Sequence, residues 1–171
     1  MSSCEDCEEC SSTPGYYSLG SGQTTCYDTD GYPRSCVGTG EDGERYGVSF
    51  AHSWVDNGDG TVSDLNSGLM WQQSSNGSYV AWQSALDYCN GLSLAGYSDW
   101  YLPTIGEIWQ MYDYQAGTCY SVFSGCSDFW SSTSGPASPS YAYDLYTGYG
   151  YISYEDKTVA VSPARCVRFE N

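Results

Sequence analysis

Nine cysteines run through a chain of 171 residues. That density points to an oxidising compartment, where thiols become cross-links. Zinc is the competing use of cysteine, but zinc sites usually combine Cys pairs with His, and His52 is the chain's single histidine. The cysteines are therefore read as a disulfide framework. The length suits one compact domain with a short appendage and is enough to bury a core.

Charge narrows the partners. Five Lys and Arg stand against 21 Asp and Glu, a formal net charge of -16. Such a surface repels nucleic acid and anionic lipid and attracts cations, calcium above all, or cationic and neutral ligands. Simple solubility is the plainer account of the acidity. No apolar run approaches the roughly 18 residues of a membrane span, so no direct membrane insertion is expected. Met1-Ser2-Ser3-Cys4 has neither a basic nor an apolar leader segment. For a secreted or cell-surface protein, the expectation is a leader removed before this start.

The chain divides into three stretches. Residues 1–15 form an acidic, Cys-rich tail with almost nothing to bury, expected to be flexible unless cross-linked. Residues 16–47 read as an irregular hairpin lead-in with turns at Asp30-Gly31 and Asp42-Gly43, stapled by Cys26 and Cys36. The main domain occupies residues 48–171. Val55 to Val62 brackets an Asn-Gly/Asp-Gly turn and predicts a hairpin, and Gly68 to Gln72 a short apolar strand. Trp82, Ala85, Leu86 and Cys89 then fall at helical spacing, with Gly91 as terminator. A second helix is expected after Pro103, capped by Thr104 and Glu107, with Ile105, Ile108, Met111 and Tyr112 as its apolar stripe. Beyond Tyr114 only short strands are signalled: 129–132, 141–146, 149–154 and 165–169. Two helices followed by many short strands give an α+β class.

Several of these segments resemble one family. Asp56 to Asp64 followed by Gly68-Leu-Met-Trp71, Ala85 to Asn90, Leu94 to Trp100, Leu102-Pro-Thr104, Phe129 to Thr133 and Arg165-Cys-Val-Arg168 resemble, in order, the signature of the bacterial Lcl C-terminal domain family. Residues 23–31 and 38–43 resemble a lead-in found before some members. The resemblance implies a C-type-lectin-like fold, distantly akin to formylglycine-generating enzymes, in a secreted or surface protein that adheres to host or matrix glycans. It also implies that some relatives vary their C-terminal residues. One departure stands out: the family usually has Trp-Arg-Leu-Pro where this chain has Trp100-Tyr101-Leu102-Pro103. With so few basic residues, sulfated sugars are poor ligands for it.

Lectin-like folds use a long-range staple, and the resemblance implies one between Cys89 on the first helix and Cys166 in the last strand. Cys119 and Cys126 flank a short loop and are expected to pair locally, and Cys26 and Cys36 make a third pair. Connectivity is not fixed by sequence. Cys4, Cys7 and Cys10 remain, an odd number, which leaves room for a free, lipid-modified or interchain thiol, or a disordered tail.

Three further constellations bear on chemistry. Asp56, Asn57, Asp59 and Asp64 gather hard oxygen ligands around a Gly-rich turn and form a possible calcium site, although the spacing is not that of an EF-hand and a plain hairpin turn is favoured. No other cofactor is implied. His52 lacks any nucleophile motif around it, the domain cysteines look committed to staples, and the carboxylates have no defined spacing, so no enzyme is expected. Last, the C-terminal third crowds tyrosines among Ser, Gly, Thr and Asp, a composition typical of binding surfaces. Trp130, Tyr141, Tyr143, Tyr146, Tyr149 and Tyr151 are the expected stacking residues, with Asp144 and Asp128 as acceptors. The expected function is therefore an adhesin-like binding module for a glycan or protein ligand. The alternative is a structural subunit of a trimer, fibre or filament, joined by Tyr contacts and by Cys4, Cys7 or Cys10. An oxygen- or calcium-dependent enzyme is the weakest reading.

Overall fold

A computed structural model describes residues 23–45 and 52–170. The tail of residues 1–15 and the predicted domain start at Val48 lie outside these. The lead-in contains strands β1 (Cys26–Tyr27) and β2 (Pro33–Arg34), paired antiparallel, and a single turn of helix, α1 (Asp42–Arg45). The Cys26–Cys36 disulfide closes the hairpin. Gln115 ties it to the rest of the molecule, its Oε1 accepting the Thr24 and Thr25 amides at 3.1 and 3.0 Å.

The domain proper begins with three antiparallel strands: β3 (Trp54–Asp56), β4 (Thr61–Asp64) and β5 (Leu69–Gln72). β5 is buried along its whole length because it works on two cores at once. Leu69 and Trp71 join a cluster with Val62, Ile108, Met111, Phe129, Leu145 and Val167. Met70 points the other way, into a cluster with Ala85, Cys89, Trp100, Leu102, Trp130, Ala142 and Cys166. A continuous apolar run is the pattern a strand covered on both faces requires.

Helix α2 (Trp82–Asn90) follows, with Ala85 and Cys89 buried and Gly91 closing its end. Trp82 anchors the first turn by donating its indole N–H to the Ser131 carbonyl at 2.8 Å. Helix α3 (Ile105–Ile108) runs into a 3-10 turn at Trp109–Met111. Its start has the reciprocal Thr104/Glu107 capping box that the sequence predicts. The predicted stripe ends one residue early: Tyr112 belongs to strand β6 (Tyr112–Asp113), which pairs with β7 (Thr118–Cys119).

A second sheet, in the order β10-β9-β8, contains β8 (Phe129–Gly135), β9 (Ser138–Tyr146) and β10 (Tyr151–Asp156). The last strand, β11 (Val167–Phe169), returns beside β5. Disulfides Cys89–Cys166 and Cys119–Cys126 complete the three expected pairs. The first of these fixes α2 to the segment entering β11, across 77 residues of sequence. The described architecture is α+β, with short helices on small antiparallel sheets.

Candidate functional site

Strand β9 positions most of the tyrosines. It pairs with β10 without a break, Tyr146 opposite Tyr151 and Tyr143 opposite Tyr154. Side chains alternate along a strand, so Tyr141, Tyr143 and Leu145 share one face and Ala142, Asp144 and Tyr146 the other. Leu145 sits under the α3 cluster and Ala142 under the α2 cluster. Each face of the hairpin is thus covered at one end only, and tyrosines emerge at the opposite ends. The single C-terminal surface expected from sequence is two patches.

The first patch holds Tyr141, Tyr143 and Tyr154. Tyr154 meets both others edge to face, at 68° in each case. Beside them the β8–β9 turn, Gly135 to Ser138, lines a shallow depression with Tyr143 and Tyr154. Tyr154 is 58% exposed.

The second patch holds Tyr146, Tyr149 and Tyr151. Their ring centroids lie 5.8, 5.1 and 6.3 Å apart, and their planes depart from parallel by 12, 25 and 19°. Each of the three pairs is stacked. Tyr149 is 79% exposed and Tyr151 47%. The turn carrying Tyr149 is held firmly. The Thr147 amide donates to Asp128 Oδ1 at 2.9 Å, the Gly150 amide to the Tyr146 carbonyl at 3.0 Å, and the Tyr114 phenol to the Gly150 carbonyl at 2.9 Å. Gly150 has φ +65° and lies so close to the Tyr112 ring that an added Cβ would sit 2.4 Å from it. Asp128 is near enough to raise the Tyr146 phenol above its ordinary value. Tyr112, Tyr114 and Gly150 were not expected as parts of this site; the cradle is made by long-range contact and left no local signal.

Two expected ligand contacts are corrected. Trp130 is fully buried and donates its indole N–H to the Val80 carbonyl at 2.8 Å. Asp144 is 3% exposed, and its Oδ2 accepts from Ser162 Oγ at 3.1 Å, while among the described residues Oδ1 has no hydrogen-bond partner. Burial, reinforced by the nearby Glu155 and Asp128 charges, pushes its carboxyl up to about 6. Both residues lie on the α2-covered face, out of reach of a surface ligand.

The Asp56–Asp64 cluster is a folded turn. Asp56 Oδ1 accepts the Gly58 amide at 2.9 Å, and Asp59 Oδ1 the Thr61 amide and hydroxyl at 3.1 and 2.6 Å. Asn57 donates to Thr61 and Ser63. Asp64 faces elsewhere, its Oδ2 on His52 Nδ1 at 2.7 Å and its Oδ1 accepting from the Ser53 amide at 2.8 Å. Burial raises the Asp64 carboxyl, but these bonds outweigh it and hold the group below its usual value. Among the described residues, no three His, Cys, Asp or Glu side chains converge as a metal site. His52 is stacked on Trp54 at 4.9 Å.

The family signatures also have a visible physical basis. Arg165 is buried, its guanidinium over the Phe123 and Phe129 rings and donating to the Ser124 and Gly125 carbonyls. Arg168 forms a two-pronged pair with Asp99, at 2.7 and 3.1 Å, and lies 3.8 Å over the Tyr97 ring. These two arginines join the chain's end to segments 97–99 and 123–129, which makes their spacing part of the fold.

Three disulfides in a domain of this size fit an extracellular location. No curated protein matches the chain. The model of the Lcl C-terminal domain matches residues 60–168, well over half of the sequence and the whole span from β4 into β11. The chain belongs to the Lcl C-terminal domain family.

Proposed function

We propose that this chain is an extracellular, non-enzymatic binding module with a C-type-lectin-like domain, recognising a glycan or protein ligand through its exposed tyrosines. The observation that carries the reading is the preformed state of the Tyr146–Tyr149–Tyr151 patch. Tyr149 and Tyr151 are exposed and Tyr146 is half-buried, yet the turn beneath them is fixed by three hydrogen bonds and by Gly150 against Tyr112. Large rings held in place bind with little loss of conformational entropy. The lectin-like assignment draws support from the staple between the first long helix and the segment entering the last strand, and from the pairing of β11 with β5.

A glycan and cell-surface array probed with the folded protein tests this. Tyr143→Ala and Tyr146→Ala, one in each patch, are expected to weaken binding in at least one case without unfolding the domain. Unchanged binding by both variants contradicts the reading. In the competing role of assembly subunit, the same rings are contacts between copies. A monodisperse monomer by light scattering, with and without reductant, ends that alternative.

A further inference from the structure

The outermost strand of a sheet carries unpaired N–H and C=O groups, which folds usually cover or guard. The two larger sheets mostly obey this. At β11, Tyr101 and Val167 exchange both backbone bonds at 2.9 Å. At β8, the Trp130 and Ser132 amides donate outward to the Pro163 and Pro103 carbonyls at 3.1 and 2.7 Å. The edge at β3 spans only Trp54–Asp56.

Strand β10 is different. It is six residues long, pairs with β9 without a bulge and has β9 as its one strand neighbour. The Lys157 amide donates to the Ser140 carbonyl at 3.0 Å, which sets the alternation of the ladder. Tyr151, Ser153 and Glu155 therefore turn their backbone groups toward β9. Ile152 and Tyr154 turn theirs away, and no backbone group of another described segment meets them. The strand holds no proline and no lysine, the usual guards of an edge. We propose that β10 is a docking edge for an extended, basic peptide segment of a protein partner, which adds to the sheet as a further strand. This goes beyond recognition by tyrosine rings, because the backbone at Ile152 and Tyr154 supplies the bonds.

Charge and shape select the occupant. Glu155 and Asp156 close the strand's end, and the chain as a whole carries -16. That field draws a cationic strand and opposes a second copy of this chain. Side chains alternate across an added strand, so those on one face pass Tyr154 and those on the other pass Tyr151. With Tyr143, Tyr154 walls the depression at Gly135 to Ser138, where Pro136 and Ala137 suit an apolar side chain.

Amide exchange followed by NMR, together with fluorescence anisotropy, tests this on the full chain. The probe is a capped, labelled octapeptide alternating valine and lysine, beside a valine–glutamate version. In the free protein the Ile152 and Tyr154 amides should exchange fast, and those of Ser153 and Glu155 slowly. The lysine peptide should slow the first pair at least about tenfold, and the glutamate peptide should not. N-methylation of the peptide amides that face β10 removes their donors and should abolish binding, while methylation of the intervening amides should cost less than about threefold. Tyr154→Pro removes an outward N–H that no bond to β9 uses, so binding should fall at least about tenfold. Tyr154→Val keeps that N–H and should bind closer to wild type. The N-methyl comparison decides the matter even if the proline variant does not fold. Protected Ile152 and Tyr154 amides in the free protein, binding that ignores which amides are methylated, or equal binding of the glutamate peptide overturns the proposal. Dimers by light scattering that Tyr154→Pro dissolves overturn it in favour of a second copy. Ring-dependent capture of a glycan on the array, with no peptide bound, overturns it too and leaves the binding-module reading standing.

Discussion

The Tyr101 phenol donates a hydrogen bond to Glu107 Oε1 at 2.9 Å, and Glu107 is 2% exposed. The other carboxylate oxygen accepts the Thr104 amide and hydroxyl at 2.7 and 2.8 Å. Where relatives are expected to carry arginine, this chain thus satisfies a buried carboxylate with a neutral donor. Tyr101, where the family pattern has arginine, ties the segment before α3 to that helix.

Removing that donor should therefore be costly. Tyr101→Phe is expected to lower stability by about 1–2 kcal/mol, since it removes a donor from a buried carboxylate. Tyr101→Arg should be tolerated better, because it supplies a charged partner at the same place. Urea denaturation of the three proteins checks the order, and a Phe variant as stable as wild type contradicts it.

The staples should rank by the length of chain they close. Replacing Cys89 and Cys166 together by Ala should cost about 4 kcal/mol, and replacing Cys119 and Cys126 about 2–3 kcal/mol, if closure of the unfolded chain dominates. Their sequence separations are 77 and 7 residues. Denaturant midpoints of the two double variants decide whether the order holds.

Asp144 should make stability depend on pH in a definite direction. Its carboxyl is raised from 3.8 to about 6 by burial, so the folded protein holds this proton more tightly than the unfolded chain. The resulting stabilisation is present below the unfolded value and is lost as pH rises through about 6. Asp144→Asn should therefore gain about 1–2 kcal/mol on wild type above pH 7 and little near pH 4. Melting curves of the pair between pH 4 and 8 test this. A variant that loses stability at pH 8 contradicts the account of Asp144 as a buried, half-satisfied acid.

The turn carrying Tyr149 gives a fourth test. Gly150→Ala combines a positive φ with a Cβ 2.4 Å from Tyr112, whereas Gly125→Ala has φ +76° and open space around it. The second should cost about 1 kcal/mol from backbone strain alone, and the first at least about 2 kcal/mol more from overpacking. Thermal melts compare them, and equal losses would show that the Tyr112 contact does not constrain the turn.

Much of the fold was legible because its signals are local. The spacing of Trp82, Ala85, Leu86 and Cys89, the Thr104-x-x-Glu107 box and the Gly-rich turn after Asp56 each fix a few neighbouring residues. The site was legible only in part. Alternation along residues 141–146 correctly marks a strand, but it does not say which face is buried where two cores cover opposite faces at different ends. Asp144 and Trp130 looked like surface residues for that reason, one by polarity and the other by its neighbours. The same alternation splits the tyrosines between two patches. The cradle of Tyr112, Tyr114 and Gly150 depends on contacts across some 36 residues, which no local pattern encodes.

Everything proposed for this surface depends on covalent cross-links holding a loop-rich domain steady outside the cell. Peptide mapping of the native, alkylated protein without reductant measures that directly. The account predicts linked peptides joining Cys26 to Cys36, Cys89 to Cys166 and Cys119 to Cys126. Recovery of Cys89 and Cys166 as separate alkylated peptides from folded protein would contradict it.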